Sequence, residues 1–292
     1  MKINFPLLAL AVGAFAIGTT EFSPMGFLPE IANDLSVSIP QAGLLISAYA
    51  VGVMIGAPLM TLWLARFPKK TALILLMAIF TIGNVLATVA PDYMSLLGAR
   101  LITSLNHGAF FGLGSVVAAS VVPKDKQASA VAMMFMGLTI ANIGGVPLAT
   151  WLSQNTSWRM AFAAISILGI MTILALWKAL PQDHDVVKPN VAKGLRVLTR
   201  APVVLALLTT VMSAGAMFAL YTYIAPSLHV FMQASPQTIT LMLVLIGIGF
   251  SIGNHLGGKF ADLSLEKTLI GFLVLLMVMM LVFPVLAQTT VG

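Results

Sequence analysis

The chain has 292 residues, of which 59% are hydrophobic and only 8% are charged. A soluble domain carries about 25% charged residues, so this composition excludes a soluble enzyme, a nucleic-acid-binding domain and a disordered segment, despite the formal net charge of +6. The absence of cysteine excludes disulfides and thiolate metal sites. The composition predicts an all-α, multi-pass membrane protein.

Nine apolar runs are long enough to cross a bilayer as helices, whose backbone hydrogen bonds are satisfied internally. The predicted spans are Phe5–Leu28, Gln41–Leu64, Thr71–Ala90, Met94–Val122, Ala128–Leu152, Met160–Trp177, Val203–Pro226, Ile239–Ala261 and Thr268–Ala287. The bilayer is therefore the first predicted partner of the chain.

The basic residues predict how these spans are oriented. All but two of the 15 Lys and Arg residues fall on one side if the spans alternate, and positive charge favours the cytoplasmic side. The N-terminus and the loops after spans two, four, six and eight are therefore predicted to be cytoplasmic. The two exceptions are Arg100 and Arg159. The first outer loop, Pro29–Pro40, carries Glu30 and Asp34 and no base.

The longest polar stretch, Ala179–Pro202, predicts a domain boundary after span six. We expect an N-terminal six-helix bundle over residues 1–178, a cytoplasmic linker over 179–202, and the first three helices of a second bundle over 203–292.

The two parts also resemble each other in sequence. An offset of 197 residues places Gly52–Gly56 over Gly249–Gly253 and Lys70 over Lys267. Such repeats are typical of secondary transporters, whose two bundles form one site between them. Because the first part has six predicted spans and the second three, the offset predicts that the chain is a C-terminally truncated form of a twelve-span protein.

The loops at these repeats resemble a signature of the major facilitator superfamily. After span eight, Gly258 and Asp262 are spaced as in the family's Gly-x-x-x-Asp motif, with Lys259 next to the glycine. The first-half copy has Thr61 and Ala65 in the Gly and Asp positions. It keeps the basic residues of the motif, which are Arg66, Lys69 and Lys70.

Span five is similar to the glycine-rich antiporter motif of the family's drug:proton exporters. The residues that carry this similarity are Gly137, Gly144, Gly145 and Pro147. Trp158-Arg159 followed by Phe162 is similar to another family pattern, Trp-Arg-x-x-Phe. Small residues and proline in a span shape helix packing, so these positions are expected to act in gating or structure.

The resemblance implies a fold of two six-helix bundles and alternating access, in which a small solute such as a sugar, a purine or a drug-like compound is exported in exchange for protons. It implies a monomeric protein of the bacterial inner membrane that is not an enzyme and uses no cofactor, metal or nucleic acid. Two alternatives stay open: a non-transporting membrane sensor, and a transporter fragment made inactive by truncation.

Polar residues inside the spans are candidates for the transport path, since such groups are costly in a bilayer. Glu21 is expected to bind the coupled proton or the substrate, because burial disfavours the charged form of a carboxyl. The alternative is a protonated glutamate that is only hydrogen-bonded to Thr19, Thr20 or a neighbouring helix. Arg100 and His107, seven residues apart, would share one helix face. Arg100 is either a fixed charge in the cavity or an interfacial anchor. His107, Asn106 and Asn142 either line the path or only join helices.

Overall fold

The computed structural model describes residues 4–181 and 199–286. Every regular element in those two ranges is a helix, and nine helical segments there are long and apolar enough to cross a membrane, which confirms the predicted spans. The helices are α1 (Phe5–Gly26), α2 (Leu28–Asp34), α3 (Ile39–Leu64), α4 (Lys69–Thr88), α5 (Tyr93–Ser104), α6 (His107–Ser120), α7 (Gln127–Ile140), α8 (Val146–Asn155), α9 (Trp158–Ala179), α10 (Ala201–Thr222), α11 (Ile224–Met232), α12 (Pro236–Leu263) and α13 (Leu265–Leu286).

Polar side chains begin many of these helices. Each accepts a hydrogen bond from a backbone N–H of the first turn, which otherwise has no partner in the helix. The capping residues are Asn4 for α1, Ser38 for α3, Asp92 for α5, Ser157 for α9 and Ser235 for α12. For these five helices the caps fix the start of the helix at the polar residue in front of the apolar run.

The first predicted span is shorter than expected, and the loop after it is partly helical. Helix α1 ends at Gly26, and α2 begins at Leu28 with Pro29 in its first turn, where the fixed φ of proline suits a helix start. The segment that connects the first two spans, Pro29–Pro40, is therefore helical in its first half.

Span four is one membrane-crossing segment, Tyr93–Ser120, with a break in its regular hydrogen-bond pattern at Leu105–Asn106, where the backbone angles stay right-handed helical. Helix α5 ends at Ser104 and α6 begins at His107. Ser104 Oγ donates to the carbonyl of Leu101 over 2.7 Å, and Asn106 Nδ2 donates to the carbonyl of Thr103 over 3.1 Å. Side chains that bond to nearby carbonyls compete with the helical backbone pattern, which accounts for the break.

Span five contains a wider π-helical turn at Ala141–Gly145, between α7 and α8. The N–H of Val146 donates to the carbonyl of Ala141, five residues earlier. Pro147 has no N–H to continue the ordinary pattern, which favours this turn. The turn brings the backbone of Asn142 against α12, where a Cβ on Gly247 would overlap the Asn142 carbonyl.

Two glycines of span five allow α7 and the π turn to approach α1 closely. A Cβ on Gly137 would overlap the carbonyl oxygen of Ala11, and a Cβ on Gly145 would overlap Oγ1 of Thr19. In the described part of the chain, no atom lies within 4 Å of such a Cβ on Gly144. The glycine motif therefore acts at two positions as a helix-packing surface.

The first six spans surround the larger buried apolar cluster, which reaches from Leu7 to Leu180. A second cluster joins this part to the helices that follow residue 200, with Met25 and Leu28 packed among Tyr221, Ala225 and Leu243. The predicted linker lies mostly outside the described residues. The division into residues 1–178, 179–202 and 203–292 therefore stays a prediction.

The two parts pack together at the end of the molecule that carries α2 and α11, named here the α2 end, and along α12 as far as the π turn. Within α10, only Tyr221 and Thr222 near its C-terminus are buried. Thr240 of α12 donates to Oε1 of Gln154 over 3.1 Å at the same end. By the predicted orientation this is the outer side, and it is closed.

Asp34 and Arg159 connect α2, the start of α9 and the segment after α4 by hydrogen bonds at the α2 end. Asp34 Oδ2 accepts hydrogen bonds from Trp158 Nε1 at 3.0 Å and from Arg159 Nη1 at 2.5 Å. Arg159 Nη2 also donates to the carbonyl of Ala90 over 2.9 Å. The pKa of Asp34 is lowered, mainly by the hydrogen bond from Arg159 and to a smaller extent by the hydrogen bond from Trp158.

Replacing Asp34 with Asn is expected to destabilise the protein by about 1 kcal/mol or less at pH 7, because the carboxylate is 47% exposed. Because the pKa of Asp34 is lowered in the folded protein, the stabilisation by its carboxylate is complete above the ordinary aspartate pKa of about 4. This stabilisation is lost as the pH falls through the pKa of Asp34 in the folded state. Thermal unfolding in detergent at pH 7 and at about pH 3 measures it. Glu266→Gln, at an exposed position of α13, is the control. A deficit of equal size at both pH values contradicts the assignment.

Candidate functional site

Glu21 on α1 faces His107 at the start of α6. Glu21 Oε2 lies 3.9 Å from His107 Nε2, and the two side chains are 17% and 16% exposed. His107 Nδ1 lies 3.1 Å from the hydroxyl of Tyr49 on α3, with the donor set by the histidine tautomer. Three spans thus place a carboxyl, an imidazole and a phenol in one row, in which Glu21 and His107 are partly accessible and Tyr49 is buried.

Arg100 lies beside this row and is only 1% exposed, which does not fit the interfacial alternative. Its guanidinium carbon is 4.3 Å from the centroid of the Tyr49 ring, a cation–π distance. Nη1 donates to the carbonyl of Thr20 over 3.0 Å and to its Oγ1 over 3.3 Å. Nε and Nη2 have no hydrogen-bond partner among the described residues. The side chain is a fixed positive charge within the bundle.

A second hydrogen-bond step holds Thr20 in place for Arg100. Thr20 Oγ1 donates to Asn84 Oδ1 over 2.7 Å, and Asn84 Nδ2 donates to the carbonyl of Phe80 over 2.9 Å. Thr20 and Asn84 are both fully buried. Since buried polar groups are costly unless paired, this chain of bonds fixes Arg100 next to the segment of α1 that carries Glu21.

Aromatic residues from both parts of the chain lie next to Glu21. Phe22 stacks on Phe218 of α10 at 5.7 Å between ring centroids and lies 5.8 Å from Tyr221. Tyr221 meets Phe250 of α12 edge to face at 5.7 Å. The hydroxyl of Tyr221 is buried and has no hydrogen-bond partner among the described residues. These rings join α1 to α10 and α12 beside Glu21.

Asn106 and Asn142 are buried but are not hydrogen-bonded to the Glu21 group in the described part of the chain. Asn106 Nδ2 bonds to the carbonyl of Thr103 at the break in span four, and Asn142 Nδ2 bonds to the carbonyl of Leu138 over 3.0 Å. Neither Oδ1 has a hydrogen-bond partner among the described residues. Of the five predicted path residues, the structure brings together Glu21, Arg100 and His107.

The basic residues of the first-half signature lie at the end opposite α2. Arg66 lies over the rings of Trp63 and Phe67 at 5.2 and 5.3 Å. Lys70 Nζ donates to the carbonyl of Leu180 over 2.8 Å. Lys69 borders an apolar cavity of about 270 Å³ between α3, α4 and α6.

The second-half signature residues, Gly258, Lys259 and Asp262, fall in the last turns of α12. Their side chains lie outside the described part of the structure. Their predicted gating role therefore stays a prediction.

Tyr49, Asn84 and Tyr221 also belong to this group, although the sequence did not predict them as site residues. Asn84 was detectable as an amide inside a predicted span. The tyrosines carry no such signal, because a tyrosine in an apolar run is ordinary packing bulk unless its hydroxyl is seen next to an ionisable group.

Comparison with known proteins agrees with this architecture. The model of the Major Facilitator Superfamily matches residues 10–292. The chain is 65% identical over 292 residues to the inner membrane transport protein YdhP of Escherichia coli strain K12, which covers all of this chain and 75% of that protein. It is 36% identical over 253 residues to the putative transporter AraJ of the same strain, covering 87% of this chain and 64% of AraJ.

Among solved structures, the fold is similar to that of a bacterial homologue of the human lysosomal transporter Spinster in an inward-facing, unoccupied conformation. The TM-score is 0.72 at 19% identity, and the alignment covers 88% of this chain and 62% of that one. The chain therefore spans less than two thirds of that structure. With the nine candidate spans and the family match, these comparisons show a multi-pass inner-membrane protein. The chain belongs to the Major Facilitator Superfamily.

Proposed function

We propose that this protein is a secondary transporter that exports a small solute in exchange for protons, with Glu21 as the proton carrier. The observation that carries the proposal is the position of Glu21, 3.9 Å from His107 and partly accessible among helices from both parts of the chain. Membrane-embedded ionisable groups with identifiable partners are typical of proton relays.

In the proposed mechanism, proton and solute compete for Glu21. The fixed charge of Arg100 acts on Glu21, so the ionised carboxylate has a balancing charge, whereas a bound proton leaves Arg100 uncompensated. The ring of Tyr49 and the carbonyl of Thr20 then become the main groups that stabilise the guanidinium. This change in electrostatic balance is what biases the two bundles towards different arrangements.

His107 is proposed to pass the proton to and from Glu21. The distance of 3.9 Å suits an ion pair but exceeds a hydrogen bond, so transfer requires a bridging water or a small movement of α6. The break before His107 allows α6 to shift without displacing Arg100 on α5. Asn106 is proposed to hold this break, and Asn142 to line the path at the contact with α12.

The other predicted residues are proposed to shape the conformational change. Gly137, Gly145 and Pro147 form the surface on which span five moves against α1, and the basic loop residues hold the end opposite α2. With the predicted cytoplasmic N-terminus, that end is the inner one and the closed α2 end is the outer one.

Reconstitution tests the proposal. Proteoliposomes with an acidic lumen are offered D-xylose, L-arabinose, adenine or chloramphenicol, which represent sugars, purines and drug-like solutes. We expect at least one of them to accumulate inside and to leave again when a protonophore collapses the pH gradient. No movement of any solute, or movement that ignores the gradient, would refute proton-coupled export.

A further inference from the structure

The two short helices at the α2 end are counterparts in the internal repeat. The offset of 197 residues places residues 28–34 of α2 over 225–231 of α11. These counterparts pack on each other, with Leu28 and Ala32 in the same buried cluster as Ala225 and Leu228. The contact between them closes the α2 end, so any transition that opens this end must separate α2 from α11.

An acidic group lies within this closure. Glu30 on α2 is half-buried, and its Oε2 is inaccessible and has no hydrogen-bond partner among the described residues. His229, exposed on α11, is near enough for its charge to act on Glu30. A carboxylate oxygen without a partner is unfavourable in a closed interface and is hydrated when the interface opens.

The other titratable groups around α2 do not satisfy Glu30. Asp34, on the same helix, is engaged by Arg159 and Trp158. Helix α3, which packs against α2, carries no charged residue, and its tyrosine, Tyr49, is hydrogen-bonded to His107. On α1 the carboxyl is Glu21, paired with the same histidine, and on α11 the group is His229.

We propose that Glu30 is a second proton-binding site of this protein, open to the outer solution, whose occupation stabilises the contact between α2 and α11. Binding of this proton and closure of the α2 end favour each other, because closure makes an ionised Glu30 costly and the bound proton removes that cost. The proton at Glu30 returns to the outer side when the interface opens. It is therefore distinct from the proton that Glu21 exchanges across the membrane.

The direction of the pH effect follows from the burial of Glu30. Burial raises the pKa of Glu30 in the closed arrangement, and its own backbone N–H and the charge of His229 offset this only in part. In the open arrangement the carboxyl is hydrated and its pKa returns towards the ordinary glutamate value. Acidification of the outer solution therefore favours closure, and the effect fades above the closed-state pKa.

The absence of cysteine makes a direct test straightforward. Spin labels attached to cysteines at Asn33 of α2 and Val230 of α11, both exposed, report the distance between the two helices by pulsed electron resonance. The labelled full chain is reconstituted in liposomes and measured between pH 5 and pH 8. We expect the fraction of molecules with a short distance between the two labels to grow as the pH falls. In Glu30→Gln this fraction should stay, at every pH, at the value that the unsubstituted residue gives at pH 5.

Two further variants separate Glu30 from its neighbours. Asp92→Asn changes an exposed carboxylate that caps α5 and should leave the pH response unchanged. His229→Gln should shift the midpoint but keep the response. The proposal is overturned if the labelled chain shows no pH response, if Glu30→Gln retains it, or if His229→Gln abolishes it. None of these outcomes depends on a transported solute, so they are separate from the test of proton-coupled export.

Discussion

Replacing Glu21 with Gln is expected to abolish the accumulation of solute that a pH gradient drives, while exchange of solute across the membrane continues. Gln keeps the size and polarity of the side chain but cannot bind and release a proton. For one-for-one exchange, a gradient of one pH unit supports about a tenfold concentration ratio. We expect the variant to reach a ratio of about one, because nothing then links the two fluxes.

Two measurements are made on each variant. Uptake of solute into acid-loaded proteoliposomes measures gradient-driven accumulation, and counterflow of labelled solute in the absence of a pH gradient measures exchange. Glu266→Gln is the matched control, since this glutamate is exposed on α13 and far in sequence from the site. It should accumulate solute as the unsubstituted chain does. Gradient-driven accumulation by Glu21→Gln would remove Glu21 from the coupling mechanism and leave His107 as the group to test.

Substituting Ala for Gly137 is expected to destabilise the protein by about 1–3 kcal/mol, the usual cost of overpacking. The added Cβ would overlap the carbonyl of Ala11 and crowd the backbone N of Phe15. Because backbone atoms cannot rotate away as a side chain can, α1 must move as a unit. Glu21 lies on that helix, so the substitution should also impair transport.

Gly144→Ala is the matched control for this prediction. It lies seven residues further along the same span, where a Cβ meets open space, and replacing glycine by alanine there should be neutral or stabilising by at most about 1 kcal/mol. Unfolding midpoints of both variants in the same detergent compare them directly. Equal shifts for Gly137→Ala and Gly144→Ala would show that close packing against α1 is not what selects glycine at 137.

The number and approximate position of the spans were predictable because a long apolar run in lipid satisfies its backbone hydrogen bonds by forming a helix. The interruptions were not. The break at Leu105–Asn106 depends on which carbonyls Ser104 and Asn106 reach. The π turn depends on how Pro147 is accommodated against α1 and α12. Such choices are made by packing and are not visible in hydropathy.

The ionisable residues of the site were predictable from the sequence. Ionisable groups are rare inside apolar spans because burying them in a bilayer is costly, so Glu21, Arg100 and His107 are conspicuous there. The supporting residues were not predicted as a group. Asn84 and Tyr49 become meaningful only when α4 and α3 bring them to Thr20 and His107. Proximity between residues that are 64 and 58 positions apart has no local sequence signal.

Proton release on solute binding tests the central claim most directly. The purified chain in weakly buffered detergent solution is mixed with the solute that proteoliposomes accumulate, and the pH is followed with a dye. If solute and proton compete for Glu21, the unsubstituted chain releases protons on binding, and Glu21→Gln binds the solute with no release. The role of Glu21 as the site shared by proton and solute would be contradicted if both proteins released the same number of protons. It would also be contradicted if the unsubstituted chain bound the solute without releasing any proton.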